Sequence, residues 1–256
     1  MRASLFLLLS GLCACAVHLA EAGLDEHLAA GRPREAMEQL AEVDDAKLRA
    51  YERAVLLHLA QDWAASRKAF AEASTTRGGF APSDDEAQHL AVLDALNGAM
   101  LGAPWPGALE ALTAGANLVV VVEREPRTGC LQVDQASGST YQGLCSAADA
   151  GASELRIDGA PLPVTLEPWL DERETLARAQ EAKLDAVRSR ALTHPLEALS
   201  QRAPIALGCR TAPQRLDVAR LSLPPGRHVV LLSGGRRREA LVDGPAKGRA
   251  LVVLAP

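Results

Sequence analysis

The chain has 256 residues, 48% of them hydrophobic and 23% charged, enough to build one or two soluble globular domains. Its formal net charge of −5 argues against a nucleic-acid partner, whose phosphates call for a basic surface. Only 3% of residues are aromatic, and alanine and leucine crowd the first half, a bias toward helices packed closely through small side chains.

At the start, Arg2 supplies a short positive region, and Leu5 to Leu9 with their neighbours form an apolar one. That run is too short for a bilayer span, which takes about twenty apolar residues, so it reads as an export signal. It closes in LLLSGLCACAVH, where Leu12-Cys13-Ala14-Cys15 resembles the lipobox of bacterial lipoprotein signals. The resemblance implies a signal peptide over 1–14, cleavage before Cys15, thioether lipidation of Cys15 and acylation of the new terminus. Cys13 fits the acceptor position poorly, because bulky Leu12 would then stand at minus one. The competing reading is a plain signal peptide with two incidental cysteines. Stable anchoring takes more than one acyl chain, and a triacylated cysteine supplies three. Ala16 stands where an aspartate would hold such a protein in the inner membrane, so the resemblance implies the periplasmic face of the outer membrane.

The next hundred residues carry the period of paired helices. In LDEHLAAGRPREAMEQL a helix from about Leu24 ends at Gly31, and Pro33 opens the next, as proline does at a first helical position. In RAVLLHLAQDWAASRKAFAEA, residues Leu57, Ala60, Trp63, Ser66, Phe70 and Ala73 recur at three- and four-residue steps, the spacing of a buried face. LDALNGAMLGAPWPGALEAL gives a third pair, with Gly102 at the turn and Ala108, Ala111 and Leu112 on the following helix. These pairs resemble tetratricopeptide-type hairpins, with Gln61 replacing the turn glycine in the second. Three pairs meet the minimum for a continuous stacked core and place a helical domain at 15–116. Between the second and third, TTRGGFAPSDD reads as a loop ending in N-cap material, Ser83-Asp84-Asp85. Stacked helical pairs offer a concave surface to a protein or peptide, or serve only as scaffold.

At Asn117 the pattern turns to strands, giving a β-rich domain over 117–256. NLVVVVE is a β-branched run of the buried-strand type, followed by a turn-rich stretch to about Gly151. Within it Cys130 and Cys145 flank the polar LQVDQASGSTYQGL, and in an oxidising periplasm they read as a disulfide closing that loop, against two buried thiols. Cys209 is then left over as a small buried residue. ELRIDGAPLPVTLEPW reads as a strand, an Asp158-Gly159 turn and a second strand. A long charged helix over about 169–192 follows, with Leu170, Ala177, Leu184, Val187 and Ala191 as its apolar stripe and Pro195 as its stop. RLDVARLSL, HVVLLSG, REALVD and ALVVLAP then form a strand meander of the small antiparallel sandwich kind. Arg236, Arg237 and Arg238 sit at its Gly234-Gly235 turn, where they read as edge charge, against a contact with acidic partners or anionic headgroups.

Signal, lipobox, repeat-like helices, NLVVVVE, IDGAPLPVTLEPW before a long helix, and LDVARLSLPPGRHVVLL occur in this order. In this the chain resembles a family of bacterial tetratricopeptide-like outer-membrane lipoproteins, to which no reaction is attached. The likeness implies an α+β fold, with helical hairpins followed by a β-rich, sandwich-like half carrying one long helix. The chain departs from the family in lacking much of the segment before IDGA. It also has Cys209-Arg210-Thr211-Ala212-Pro213 where members carry an Arg-Ser-Trp-Arg-like stretch.

The search for chemistry is short. The histidines His18, His27, His58, His89, His194 and His228 show no paired-ligand spacing, so no metal is called for, nor any other cofactor. There is no GxSxG, SxxK or phosphate-cradling glycine loop. Asp44-Asp45 and Asp84-Asp85-Glu86 sit at helix starts, where capping and the helix dipole explain them. The expected protein is a non-enzymatic adaptor or scaffold that binds other envelope proteins and meets the membrane through its lipid. A cell-wall-acting enzyme with an unrecognised site and a purely structural spacer are the alternatives.

Overall fold

The computed structural model describes residues 24, 26–105, 107–111, 115–124, 128–133, 140–145, 154–161, 166–171, 185, 189, 203–204, 209, 211–213, 215–233, 237–245 and 248–255. The fold is mixed α+β, helices first and strands second, in two compact units, 1–81 and 82–256. The division falls after Ala81 rather than after Ala116, because the helix from Asp84 belongs with the strands.

Unit 1 is helical. A turn of helix at 26–29 precedes α1 (Pro33–Ala36), which continues as a tighter 3-10 stretch, Met37–Glu42. Then come α2 (Ala46–Leu59) and α3 (Trp63–Thr75), packed on each other. Leu57, Ser66, Phe70 and Ala73 of the expected buried face are buried, while Ala60 and Trp63 are half-buried. Ser66 is small enough to let α3 approach α2, and its hydroxyl donates to the Ala54 carbonyl at 2.7 Å.

The helix ends share one device. At Gly31 the backbone has φ +63°, the Gly31 N–H donates to Leu28 O and the Arg32 N–H to His27 O. At Gln61 the φ is +59°, with Gln61 N–H on His58 O and Asp62 N–H on Leu57 O. Gly102, in unit 2, repeats it at φ +85°, with bonds to Ala99 O and, from Ala103, to Gly98 O. Each is a Schellman cap, in which a left-handed residue lets two N–H groups return to the last carbonyls of the helix. All three turn positions named from the sequence therefore carry the same geometry, although Gln61 is not glycine.

The start of α2 is fixed by Asp45. Its Oδ1 accepts from Lys47 N–H (3.0 Å) and Leu48 N–H (2.8 Å), a regular N-cap. Its Oδ2 accepts from Gly79 N–H and from Phe80 N–H (3.1 Å), so the same carboxylate pins the loop after α3. These backbone bonds, Leu48 first, hold its pKa below the ordinary carboxylate value. A Cβ on Gly78 would fall 2.6 Å from Asp45 Oδ1 and from Lys47 Cβ, so only glycine lets the loop come this near.

Unit 2 opens with α4 (Asp84–Met100), capped as expected by Ser83, whose Oγ accepts from Glu86 N–H. A short α5 (Gly107–Ala111) follows. Among the described residues the strands are β1 (Leu118–Glu123), β2 (Thr128–Val133), β3 (Thr140–Cys145), β4 (Glu154–Ile157), β5 (Ala160–Pro161), β6 (Glu167–Asp171), β7 (Ala203–Pro204), β8 (Arg215–Leu221), β9 (Gly226–Ser233), β10 (Arg238–Gly244) and β11 (Ala250–Leu254). They form sheets in the orders β11-β1-β8-β6, β10-β9-β4-β5 and β2-β3-β7. The first two face each other across one core, in which Leu118, Val120 and Val122 meet Leu155, Val230 and Leu232. Val119 and Val121, on the other face of β1, are equally buried. α4 lies against β11, and its Glu86 accepts the backbone N–H of Cys209.

Four expectations change. The last strands are not a plain antiparallel meander: β11 runs parallel to β1, with Val120 opposite Val252, while β8 takes the other side of β1 antiparallel. The stretch read as turns after β1 contains the paired strands β2 and β3. Trp169–Asp171 is strand rather than the start of the long helix, since Leu170 pairs with Leu216 past an irregularity at Pro168. Asp185 and Ser189 are helical, and the rest of the 169–192 expectation lies outside the described residues. Finally, Arg238 is not simple edge charge: its guanidinium donates to the carbonyls of Glu123 and Leu254.

Relieving the left-handed strain at exposed Gln61 should stabilise unit 1. Gln61→Gly is expected to raise the stability of the helical transition by about 0.5–1 kcal/mol in urea melts followed by circular dichroism. A loss of stability would show that the Gln61 side chain contributes more than its backbone costs.

Candidate functional site

The SLPPGRH segment, 222–228, and the Asp158-Gly159 turn come together at one end of the two-sheet body. The loop is held at its start by Asn117. That side chain donates from Nδ2 to Leu223 O at 2.7 Å and accepts Leu223 N–H at Oδ1 at 2.8 Å, as a strand backbone would. Ser222 Oγ donates to Gly115 O at 3.3 Å. Pro224, Pro225, Gly226 and Arg227 then stand exposed. Gly226 takes φ +143°, which a side chain would resist, and Gly244 lies opposite it in the β9–β10 ladder. A Cβ on Gly244 would stand 2.4 Å from the Pro224 carbonyl, so the loop packs flat only because no side chain is there.

His228 joins the pieces. Its Nδ1 lies 2.7 Å from Asp158 Oδ2 and its Nε2 lies 3.0 Å from Pro224 O. Asp158 Oδ1 accepts the Val229 N–H at 2.9 Å, and the Asp158 N–H donates to Val229 O. Asp158 has φ +50° and Gly159 φ +83°, the pair of left-handed residues that a tight hairpin of this type requires. The Asp158 carboxylate and then the Pro224 carbonyl raise the His228 pKa above the usual imidazole value. His228 and then the Val229 N–H lower that of Asp158. Both ring nitrogens are engaged within the fold, so His228 ties the Asp158 turn to the Pro224 loop.

At the ends of β1 and β8 a buried carboxylate sits between two guanidiniums. Asp217, fully buried, takes Arg124 Nε on Oδ2 at 2.6 Å and Arg215 Nε on Oδ1. It occupies a core-facing position of β8 opposite Val122, where an unpaired charge would be severely destabilising.

Among the described residues no group of three His, Cys, Asp or Glu could hold a metal. His58 is buried and edge-on to Trp63, at 5.2 Å between ring centres. Cys209 is a buried thiol, with Sγ 3.6 Å from Thr211 Oγ1. Cys15 lies outside the described residues, as do the side chains of Cys130 and Cys145. The backbone of β2 and β3 puts Cys130 opposite Gly143 and Cys145 opposite Thr128, so the two cysteines are diagonal neighbours. Diagonal Cα atoms ordinarily stand about 7–8 Å apart, just past the roughly 4.4–6.8 Å that a disulfide spans without backbone movement. The contact between His228 and Asp158 was invisible to spacing, since the two stand far apart in the chain. The only local hint was the Asp-Gly turn itself.

The chain was compared with protein-family models, with curated proteins and with solved structures, and none of the three comparisons finds a match.

Two measurements follow from these placements. Asp217→Ala leaves two guanidiniums facing a core position and is expected to cost about 3–5 kcal/mol in denaturant unfolding; a change under about 1 kcal/mol would mean that water already reaches the pair. Non-reducing peptide mapping is expected to join Cys130 to Cys145, with Cys209 alkylated only after unfolding. A Cys209-linked peptide would overturn that pairing. Because the hairpin must tighten to close the bridge, its loss should cost less than the roughly 3 kcal/mol expected for a loop of this length.

Proposed function

We propose that the chain is a lipoprotein held through Cys15 on the periplasmic face of the outer membrane, where it acts as a non-enzymatic adaptor that binds other envelope proteins. The observation that carries this reading is the build of unit 1. Two successive helical pairs end their first helices in the same cap, at Gly31 and Gln61, and pack through small residues such as Ser66. Helical pairs repeated in this way make extended surfaces suited to grasping a protein segment, which is the tetratricopeptide-like character proposed for them. The short apolar leader ending in Leu-Cys-Ala-Cys supports the anchor. No helix among the described residues is long and apolar enough to cross a membrane. The reading is further supported by His228, whose ring nitrogens are both spent on structure.

The test keeps the chain whole. A photo-crosslinking residue placed at exposed Glu38 or Lys68 in unit 1 is expected to yield a discrete protein adduct in cells. The same residue at exposed Arg227 or Glu239 in unit 2 is expected to yield none. Cys15→Ala should abolish the lipid mass increment and the adduct together. Adducts from unit 2 alone would move the binding surface to the strands. An unmodified mature terminus in the wild type would remove the anchor.

A further inference from the structure

We propose that His228 is a proton-operated latch: its doubly protonated ring ties the Pro224 carbonyl to the Asp158 turn, and loss of one proton releases the 224–226 loop. The argument is one of donors and acceptors. A peptide carbonyl can only accept, and an ionised carboxylate can only accept. Nδ1 at 2.7 Å from Asp158 and Nε2 at 3.0 Å from Pro224 are therefore both hydrogen bonds only when both ring nitrogens carry hydrogen. The neutral ring has one N–H, and the stronger, charge-assisted partner is the carboxylate. Deprotonation thus turns the Nε2 lone pair toward the Pro224 oxygen. Pro224 itself is exposed, so water takes up its oxygen once the ring no longer donates, and the loop is let go.

What moves is bounded on each side. Leu223 stays clamped by Asn117, and Val229 stays bonded to Asp158, so the freedom falls on Pro224, Pro225 and the last rung of the β9–β10 ladder, Gly226 opposite Gly244. Gly226, at φ +143°, supplies the hinge. Among the described residues the charged groups around the ring are few. Asp158 faces it from the turn, Arg227 precedes it on β9, and Asp243 stands opposite Arg227 on β10, while Gly244 packs against the ring carbon Cδ2. On β4 the nearest cation, Arg156, is occupied by Glu154. Asp158 is the only carboxylate in direct contact with the ring among the described residues.

The direction in pH follows from the two groups. A histidine held above its ordinary value of about 6.5 contributes in full below that value, and its contribution is lost as pH rises through the higher folded value. Asp158, held below its ordinary 3.8, contributes above that value and loses its part only as pH falls through the lower folded one. The latch is closed between these limits and opens on the alkaline side.

The full chain in detergent, labelled with nitrogen-15 at histidine, provides the test. The His228 ring should carry both protons at pH 6.5 and titrate above the ordinary imidazole range. Gly226 amide exchange, corrected for its intrinsic pH dependence, should rise about tenfold with the same midpoint, the loss of one charge-assisted hydrogen bond. Asp158→Asn should move both midpoints down together. A singly protonated ring at pH 6.5, or Gly226 exchange that ignores the ring's titration, would overturn the proposal on the wild-type chain alone.

Discussion

Unit 2 depends on a strand that has no exposed side. All six residues of β1, Leu118–Glu123, are buried, and both of its edges are hydrogen-bonded, to β8 on one side and β11 on the other. A strand with two covered faces gains hydrophobic stabilisation at every position instead of every second one, which is why NLVVVVE shows no polar alternation. The rest of the body is arranged to meet that demand. β4, β9 and β10 bring a second sheet to the Val120 face, and the parallel return of β11 completes the ladder. Even the polar groups at the strand's ends serve it: Asn117 extends the pairing to Leu223, and Arg238 takes up the Glu123 carbonyl.

Unit 1 is ordered by backbone geometry more than by bulk. Its helices pack through alanine and other small residues, and their ends are satisfied by shared polar groups. Asp62 does this for two helices at once, its N–H completing the cap of α2 and its Oδ1 accepting at the start of α3. Asp45 does the same for a helix and a distant loop. Such shared groups set the phase between neighbouring elements within the unit.

Much of this was readable beforehand, for local reasons. Helix stops, the Ser83 cap and the Asp158-Gly159 turn are written in a few adjacent residues each, and NLVVVVE announces its own burial. The features that were missed depend on partners far along the chain. Nothing near Ala250 says that it lies parallel to Leu118, and nothing near Asp84 says that its helix joins the strands. Trp169-Leu170-Asp171 begins a helical apolar period and is also an acceptable short strand, and the neighbouring β8 decided between the two. His228 looked like one histidine of six until its turn and its loop were folded against it.

The parallel pairing of β1 with β11 has a consequence for how the molecule is made. The partner of Leu118 lies more than a hundred residues downstream, so one edge of β1 stays open until nearly the whole of unit 2 has been delivered. During that interval the chain presents four consecutive valines with an unpaired edge, the composition that most readily recruits a second strand from another copy. Contacts of such long range also form slowly. A chain synthesised from its amino-terminal end emerges in this order every time. Its yield is therefore governed by the race between β11 and a neighbouring molecule for the same row of backbone groups.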